Sequence, residues 1–439
     1  MLANILRGAH RSLRGSRITI TKPSLSHDQP RSRYWSTLST DEVSLNVHSL
    51  NTSFPYVWLR DSCQSSACIH PTTSQKFHRT SDIPLDIKPV SDGLRLADDG
   101  IHIAWTDGHE SFFHASFLER HSSSEKLSAF HRDIVPISWN NSSISGVHNL
   151  FFPYESLKEP IGLLSAMLQI SKYGILFVSG VHSVETSHEK CELRSLAELF
   201  GEIRPTFYGL LWDVINMPNS RNIAYTNLDL GLHMDLLYVV CKASFCTEYI
   251  SSSVKRYFQH PPKYQILHCL RNRVQGGKST FVDGLHAASI LLETHPSDFE
   301  VLATTPVAFH YINDSHHLHH VHPTIELSRP FSGAVGHINY SPPFQAPLPL
   351  STPGGFYPAL QQFTKILNDP EHSYQYTLQE GDAVIFDNRR VLHARTAFSN
   401  IEGQVRVGEA NRWLKGCYLE ADSLMDRERV LSTNFEQGL

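Results

Sequence analysis

A chain of 439 residues with 41% hydrophobic and 18% charged residues has room for two or three domains and can bury large cores. Its net charge of −5 gives no basis for general nucleic-acid binding, and no run of 18 apolar residues offers a membrane span. Seven cysteines, odd in number and scattered, do not read as a disulfide framework, so the N-x-S/T sites at Asn51, Asn140 and Asn313 carry little weight.

Residues 1 to 27 hold Arg7, Arg11, Arg14, Arg17 and Lys22 and no acid. That composition, rich in Ser and Thr, is that of a mitochondrial transit peptide. The alternative is a disordered basic tail. Residues 1–40 are therefore set outside the fold, and the mature chain is placed in the mitochondrial matrix, with the cytoplasm as the alternative. Residues 41–125 read as a small β domain: "IHIAW" alternates apolar and polar residues and "DDG" turns the chain. Residues 126–150 are polar and Ser-rich and read as a linker. "IGLLSAMLQISKYGILFVSG" is a helix that becomes a strand, broken at Gly174. "KCELRSLAELFGEIR" is a second helix, ending at Gly201. From 205 onwards short strands and Gly/Pro turns dominate, with one clear helix in "FYPALQQFTKILND". "GDAVIFDNRRVLHART" reads as two strands around a turn. Residues 151–439 are thus expected to be mainly β, a sandwich or jelly roll with flanking helices.

Two His-x-Asp spacings stand in the chain. His131-Arg132-Asp133 lacks every companion of a kinase catalytic loop and is set aside. His233-Met234-Asp235 lies in extended chain, where residues i and i+2 share a face. One imidazole and one carboxylate then converge. His393, in "FDNRRVLHART", would complete the two-His, one-carboxylate triad of a non-haem Fe(II) oxygenase. A strand histidine beside a surface aspartate is the competing reading for either segment alone.

"HMD", "GGKSTFVDG" at 276–284, "GDAVIFDNRRVLHAR" at 381–395 and "NRWLKGCY" at 411–418 follow one another in this order. Over about residues 54–430 the chain resembles the gamma-butyrobetaine and trimethyllysine hydroxylase group of taurine-dioxygenase-like Fe(II)/2-oxoglutarate oxygenases. The resemblance implies a double-stranded β-helix preceded by the small β domain. It implies Fe(II) on His233, Asp235 and His393, with O2 and 2-oxoglutarate as co-substrates and ascorbate as reductant. Arg412 would grip the far carboxylate of 2-oxoglutarate, with Arg406 as competitor, and Ser279 would lie near it. Tyr208, Trp212, Tyr225 and Tyr418 match the aromatic cage that holds a trimethylammonium group, which no hydrogen-bond donor or acceptor can hold. Asn222 and Asn339 are candidates for the substrate's carboxylate end. The implied reaction is hydroxylation of gamma-butyrobetaine to L-carnitine, with succinate and CO2 as co-products. A trimethyllysine hydroxylase and an inactive trimethylammonium-binding homologue are the alternatives. The implied partner is a small trimethylammonium molecule, with no nucleic acid, no membrane and a homodimer expected.

The same resemblance brings a zinc site in the small domain, with Cys63, Cys68 and His109 as ligands. Ser65 stands where a further cysteine is expected, and His70 is a substitute, so the site is either modified or empty. "FHYINDSHHLHHVHP", with six histidines from His310 to His322, is read as a loop near the site entrance without a metal role. Finally, the 19 residues "VVCKASFCTEYISSSVKRY" at about 239–257 interrupt a pattern that their removal restores. Valine codons begin GT, and lysine and arginine codons can supply AG. A retained intron and a real surface loop beside the iron are the two readings.

Overall fold

The computed structural model describes residues 38–216, 220, 222–238, 260–328, 334–401 and 410–437. The basic leader and the 239–257 insertion therefore lie outside the described residues, except that Leu38–Thr40 already forms a strand. The chain divides into two compact units, one running to Asp133 and one starting at Ile134.

The first unit holds two small antiparallel sheets. Leu38–Thr40, Ser44–Val47 and Thr52–Pro55 form one, and Pro89–Leu96, Gly100–Trp105 and Glu110–His114 form the other. The alternation in "IHIAW" is realised: Ile101, Ile103 and Trp105 are buried and His102 faces out. The Trp105 indole donates to Ser111 Oγ at 2.9 Å, which satisfies a buried donor.

The Ser-rich stretch 126–150 is not a linker. Its first part belongs to the helix Ser124–His131, capped by Ser123. Its second part contributes Trp139, Ile144 and Leu150 to the core of the second unit. Asn140 caps the short helix Asn141–Ser145. Ser and Asn favour caps as much as loops, so composition alone hides the anchoring apolar residues.

In the second unit, six strands run Leu211–Ile215, Arg412–Leu419, Tyr264–Asn272, Ala383–Asp387, Ile175–Ser179 and Phe151–Pro153 across one sheet, with Ile203–Arg204 beside Arg412–Leu419. A smaller sheet runs Leu230–His233, Val391–Arg395, Ser279–Asp283 and Ser373–Tyr376. Phe281 of the small sheet packs edge-on against Phe177 and Phe386 of the large one, at 5.8 and 5.7 Å between ring centroids. This pair of facing sheets is the expected double-stranded β-helix. A second core lies on the large sheet's other face, under helices Pro160–Tyr173 and Glu192–Phe200. Burial on both faces explains why "AVIFD" reads as a continuous apolar run instead of alternating.

The helices at 160–173, 192–200 and Phe356–Leu367 were legible. Gly284–Thr294, Pro296–Thr304 and Ala421–Gln437 were not. The first two are joined at His295–Pro296, where proline opens the second helix and breaks the pattern. The histidine-rich tract is not a loop but the hairpin Pro306–Asn313 and His316–Pro323. Val307, Phe309 and Tyr311 supply its buried face. Of its histidines only His322 is buried, with Nε2 3.1 Å from the Leu237 carbonyl.

One buried ion pair ties these layers. Arg390 donates from Nε and Nη2 to the two oxygens of Asp283 at 3.0 and 2.8 Å. Asp283 also accepts from the Trp139 and Leu285 amides, and Arg390 donates to the Lys172 carbonyl. The Asp283 side chain is fully buried. Breaking such a pair from one side strands a charge, at about 3–5 kcal/mol. Arg390→Met is therefore expected to lower unfolding stability by about that amount, read from urea denaturation.

Candidate active site

The edge strand Leu230–His233 pairs antiparallel with Val391–Arg395, and the register sets His233 directly opposite His393. Directly opposed residues share a face, so both imidazoles project together. Phe281 is the next residue in the row, opposite His393 on the other side. That row faces the sandwich interior, and Phe386 backs His393 at 4.9 Å. The two imidazole rings lie 4.2 Å apart. Asp235 follows the end of the strand, with Oδ1 3.5 Å from His233 Nε2 and Oδ2 3.9 Å from His393 Nε2. Ligand atoms of all three fall within 4.8 Å of one another.

The protonation states suit a metal. His233 Nδ1 lies 2.9 Å from the Gly231 carbonyl, so Nδ1–H donates there and Nε2 is turned to the cluster. Burial, then the nearby His233, pushes the His393 imidazole down to about 3, which keeps it neutral. Burial opposes ionisation of Asp235, but the neighbouring His233 and His393 rings and the Tyr418 hydroxyl outweigh it and hold the carboxyl well below the usual range. An anionic carboxylate beside a neutral His393 ring suits metal ligation.

Asp235 has supports that sequence reasoning missed. Gln265 Nε2 and the Tyr418 hydroxyl both donate to Oδ2 at 3.0 Å. Gln265 and Tyr418 are opposite each other on adjacent strands, so one register aims two donors at one oxygen. The available signal was a glutamine inside "YQILHCL", an otherwise apolar buried run, since a buried amide needs a partner.

Tyr208, Trp212, Asn222, Tyr225 and Tyr418 all line one pocket that also reaches His233 and Asp235. Trp212 stands 5.5 Å from Tyr418 and 6.5 Å from Tyr208, ring to ring. Tyr238 and Phe344, which the sequence did not single out, complete the aromatic wall. Tyr238 stacks on Tyr311 of the histidine-rich hairpin at 5.4 Å, so that hairpin backs the pocket. Burial raises the phenols of Tyr208, Tyr225, Tyr238 and Tyr418, that of Tyr225 to about 12, which keeps the rings neutral. Gly416 lies opposite Trp212, and a Cβ there would meet the indole at 2.3 Å. Only glycine lets that ring lie flat on the strand.

The two asparagine candidates part. Asn222 lines the pocket, with Nδ2 3.5 Å from the Tyr208 hydroxyl. Asn339 does not line it. Its amide donates to the Pro323 carbonyl and Glu326 and accepts from Arg389, so both ends of the amide are already engaged.

Arg412 opens its strand with its side chain buried. Its Nε has no hydrogen-bond partner, and it makes no ion pair among the described residues. A Cβ on Gly277 would stand 3.1 Å from Nε, so the glycine, at φ +67°, leaves room for the guanidinium. Burial, and then the neighbouring Arg395, pulls its pKa down to about 10. Burying an unpaired cation costs several kcal/mol, which an anionic ligand would offset. Arg395 differs, because it donates to the Ala224 and Leu228 carbonyls at 3.1 and 2.6 Å. Ser279 is buried two residues beyond Gly277 and opposite Arg395. Arg406 lies outside the described residues.

In the first unit, His109 Nε2 lies 3.2 Å from Cys63 Sγ and 3.4 Å from Cys68 Sγ. These three form the second candidate metal cluster among the described residues. Ser65 Oγ stands 3.3 Å from Cys63 Sγ. His70 does not join them, because its Nδ1 accepts from the Thr72 and Thr73 amides. Burial, then Arg60, lowers the His109 pKa and keeps the ring neutral.

Comparison with known proteins agrees with these two units. Residues 255–418 match the family described as Taurine catabolism dioxygenase TauD, TfdA family. Residues 38–119 match the family described as Gamma-butyrobetaine hydroxylase-like, N-terminal. Dioxygenase str8 of Strobilurus tenacellus is 52% identical over 397 residues, which cover 90% of this chain and 89% of that one. Gamma-butyrobetaine dioxygenase of Pseudomonas sp. (strain AK-1) is 30% identical, covering 86% and 90%. Mitochondrial trimethyllysine dioxygenase of Homo sapiens is 29% identical, covering 89% and 86%.

Gly416→Ala is expected to displace Trp212 and weaken binding of tetramethylammonium about tenfold, the loss of one cation–π contact; indole fluorescence during titration reads both effects. The strands on either side of 239–259 meet at Asp235 through Gln265. A chain lacking 239–257 is therefore expected to fold and keep divalent-metal binding, checked by circular-dichroism melting and metal titration. Transcript sequencing separately shows whether those codons are spliced out.

Proposed function

The chain belongs to the gamma-butyrobetaine and trimethyllysine dioxygenase family of Fe(II)- and 2-oxoglutarate-dependent dioxygenases, and on that premise we propose that it hydroxylates gamma-butyrobetaine to L-carnitine. The observation that carries this reading is the aromatic pocket beside the His233, Asp235 and His393 cluster. A quaternary ammonium ion is attracted by ring faces at about 2 kcal/mol or more when desolvated. Tyr208, Trp212, Tyr225 and Tyr418 offer such faces together, with neutral phenols.

In this reading His233, Asp235 and His393 hold the iron, and Tyr418 and Gln265 fix the Asp235 carboxylate. Bound there, iron supplies the activation of O2 that accompanies decarboxylation of 2-oxoglutarate to succinate and CO2. Arg412 holds the far carboxylate of 2-oxoglutarate, which neutralises the buried guanidinium, and Ser279 borders it. The cage fixes the cationic end of the substrate, so distance along its chain selects the carbon. Asn222, whose Oδ1 accepts from the Ala224 amide, is the proposed contact for the substrate's carboxylate through its Nδ2. Ascorbate is the proposed reductant, and zinc on Cys63, Cys68 and His109 would brace the first unit.

Trimethyllysine is the second reading. Its α-ammonium needs an acceptor, and Asp235 is the sole acid among the described pocket residues. That favours gamma-butyrobetaine. The basic leader, together with the mitochondrial naming of the trimethyllysine relatives, supports a matrix location.

The test is 2-oxoglutarate turnover by iron-loaded protein with each substrate. Succinate formed with gamma-butyrobetaine is expected. Succinate with trimethyllysine alone would overturn the substrate assignment, and none with either would favour a protein that only binds such cations. His233→Ala is expected to abolish coupled turnover while circular dichroism stays unchanged.

A further inference from the structure

The ladder that carries His233 ends there. The Met234 amide is taken by the Tyr340 carbonyl at 2.9 Å. Asp235, the next ligand, has no strand partner for its backbone. A side chain takes that place. The Asp235 amide donates to Asn388 Oδ1 at 2.8 Å, and Asn388 Nδ2 donates back to the Asp235 carbonyl at 2.9 Å. The same Nδ2 donates to the Pro262 carbonyl at 3.1 Å. Asn388 is fully buried, and its own amide donates to the Lys263 carbonyl at 2.6 Å.

We infer that Asn388 is a positioning residue for Asp235, its amide replacing the missing strand and holding the carboxylate-bearing residue in register with the two imidazoles. Bonds to both the N–H and the C=O of one residue fix the orientation of its Cα, and hence where its side chain points. The position also needs holding. Leu236 is left-handed at φ 61°, which is unfavourable for a residue with a Cβ, and such strain persists only when its surroundings over-determine it. Asn388 belongs to the turn between the strands Ala383–Asp387 and Val391–Arg395. One turn thus sets both the strand bearing His393 and the backbone of Asp235.

The chemistry of the group is specific. Both amide hydrogens and the carbonyl oxygen of Asn388 are used. Aspartate has the same shape but cannot donate, so it would set acceptors against two carbonyls and a charge beside Asp235. Alanine removes all three bonds.

The inference rests on the metal-site reading, and the experiment separates the two. Mn(II) affinity is measured for the full chain by electron paramagnetic resonance of the free ion, with melting followed in parallel. Wild type is expected to bind and His233→Ala to lose binding. Wild-type protein that does not bind, or a His233→Ala variant with unchanged affinity, sinks the metal reading itself. Asn388→Asp is expected to weaken Mn(II) binding about 10–100-fold, the range for groups that orient metal ligands. Folded Asn388→Asp protein with wild-type affinity overturns the positioning role alone. Affinities are compared at a temperature where the melting curves show each protein fully folded, so a loss of stability alone leaves them unchanged.

Discussion

Two antiparallel strands place His233 directly across from His393, and most of what surrounds the site follows from that pairing. It puts both imidazoles on the inner face of the smaller sheet, against the aromatic layer of Phe281, Phe177 and Phe386. The larger sheet then supplies the remaining contacts. Its strands Tyr264–Asn272 and Arg412–Leu419 bring Gln265 and Tyr418 to Asp235, and the second of them begins with Arg412. A one-residue slip in either sheet would turn these side chains to the opposite face.

Buried cations separate the scaffold from the site. Arg390 is matched oxygen by oxygen with Asp283 and capped by main-chain carbonyls. Arg389 meets Glu326 and Asn339. Each of these two guanidinium groups meets a carboxylate, and they brace layers. Arg412 is equally buried but meets no carboxylate among the described residues. A folded chain tolerates that imbalance where a ligand of opposite charge belongs. The asparagines divide in the same way, with Asn339 spent inside the scaffold and Asn222 facing the pocket.

Sequence patterns were most legible where one period governs many residues. The helices at 160–173, 192–200 and 356–367 announced themselves by periodicity and by Gly174 and Gly201 at two of their ends. The His-Met-Asp spacing named the right residues, although only His233 lies in a strand and Asp235 stands past its end, held by Asn388. Other features depend on partners far away in the chain. Nothing local reveals that Gln265 and Asn388 meet Asp235 from 30 and 153 residues away. Trp139 and Ile144 were lost among serines and asparagines. The six-histidine tract hid a hairpin, because imidazoles on its outward face mask the buried Val307, Phe309 and Tyr311 beneath. Asn339 failed as a pocket residue because residue type cannot tell a free amide from a spent one.

Tyr418 joins two parts of the site through a single side chain. Its ring is a wall of the aromatic pocket, and its hydroxyl donates to Asp235. Any change at Tyr418 therefore acts on the aromatic wall and on the Asp235 carboxylate at once, so the two halves of the site cannot vary independently.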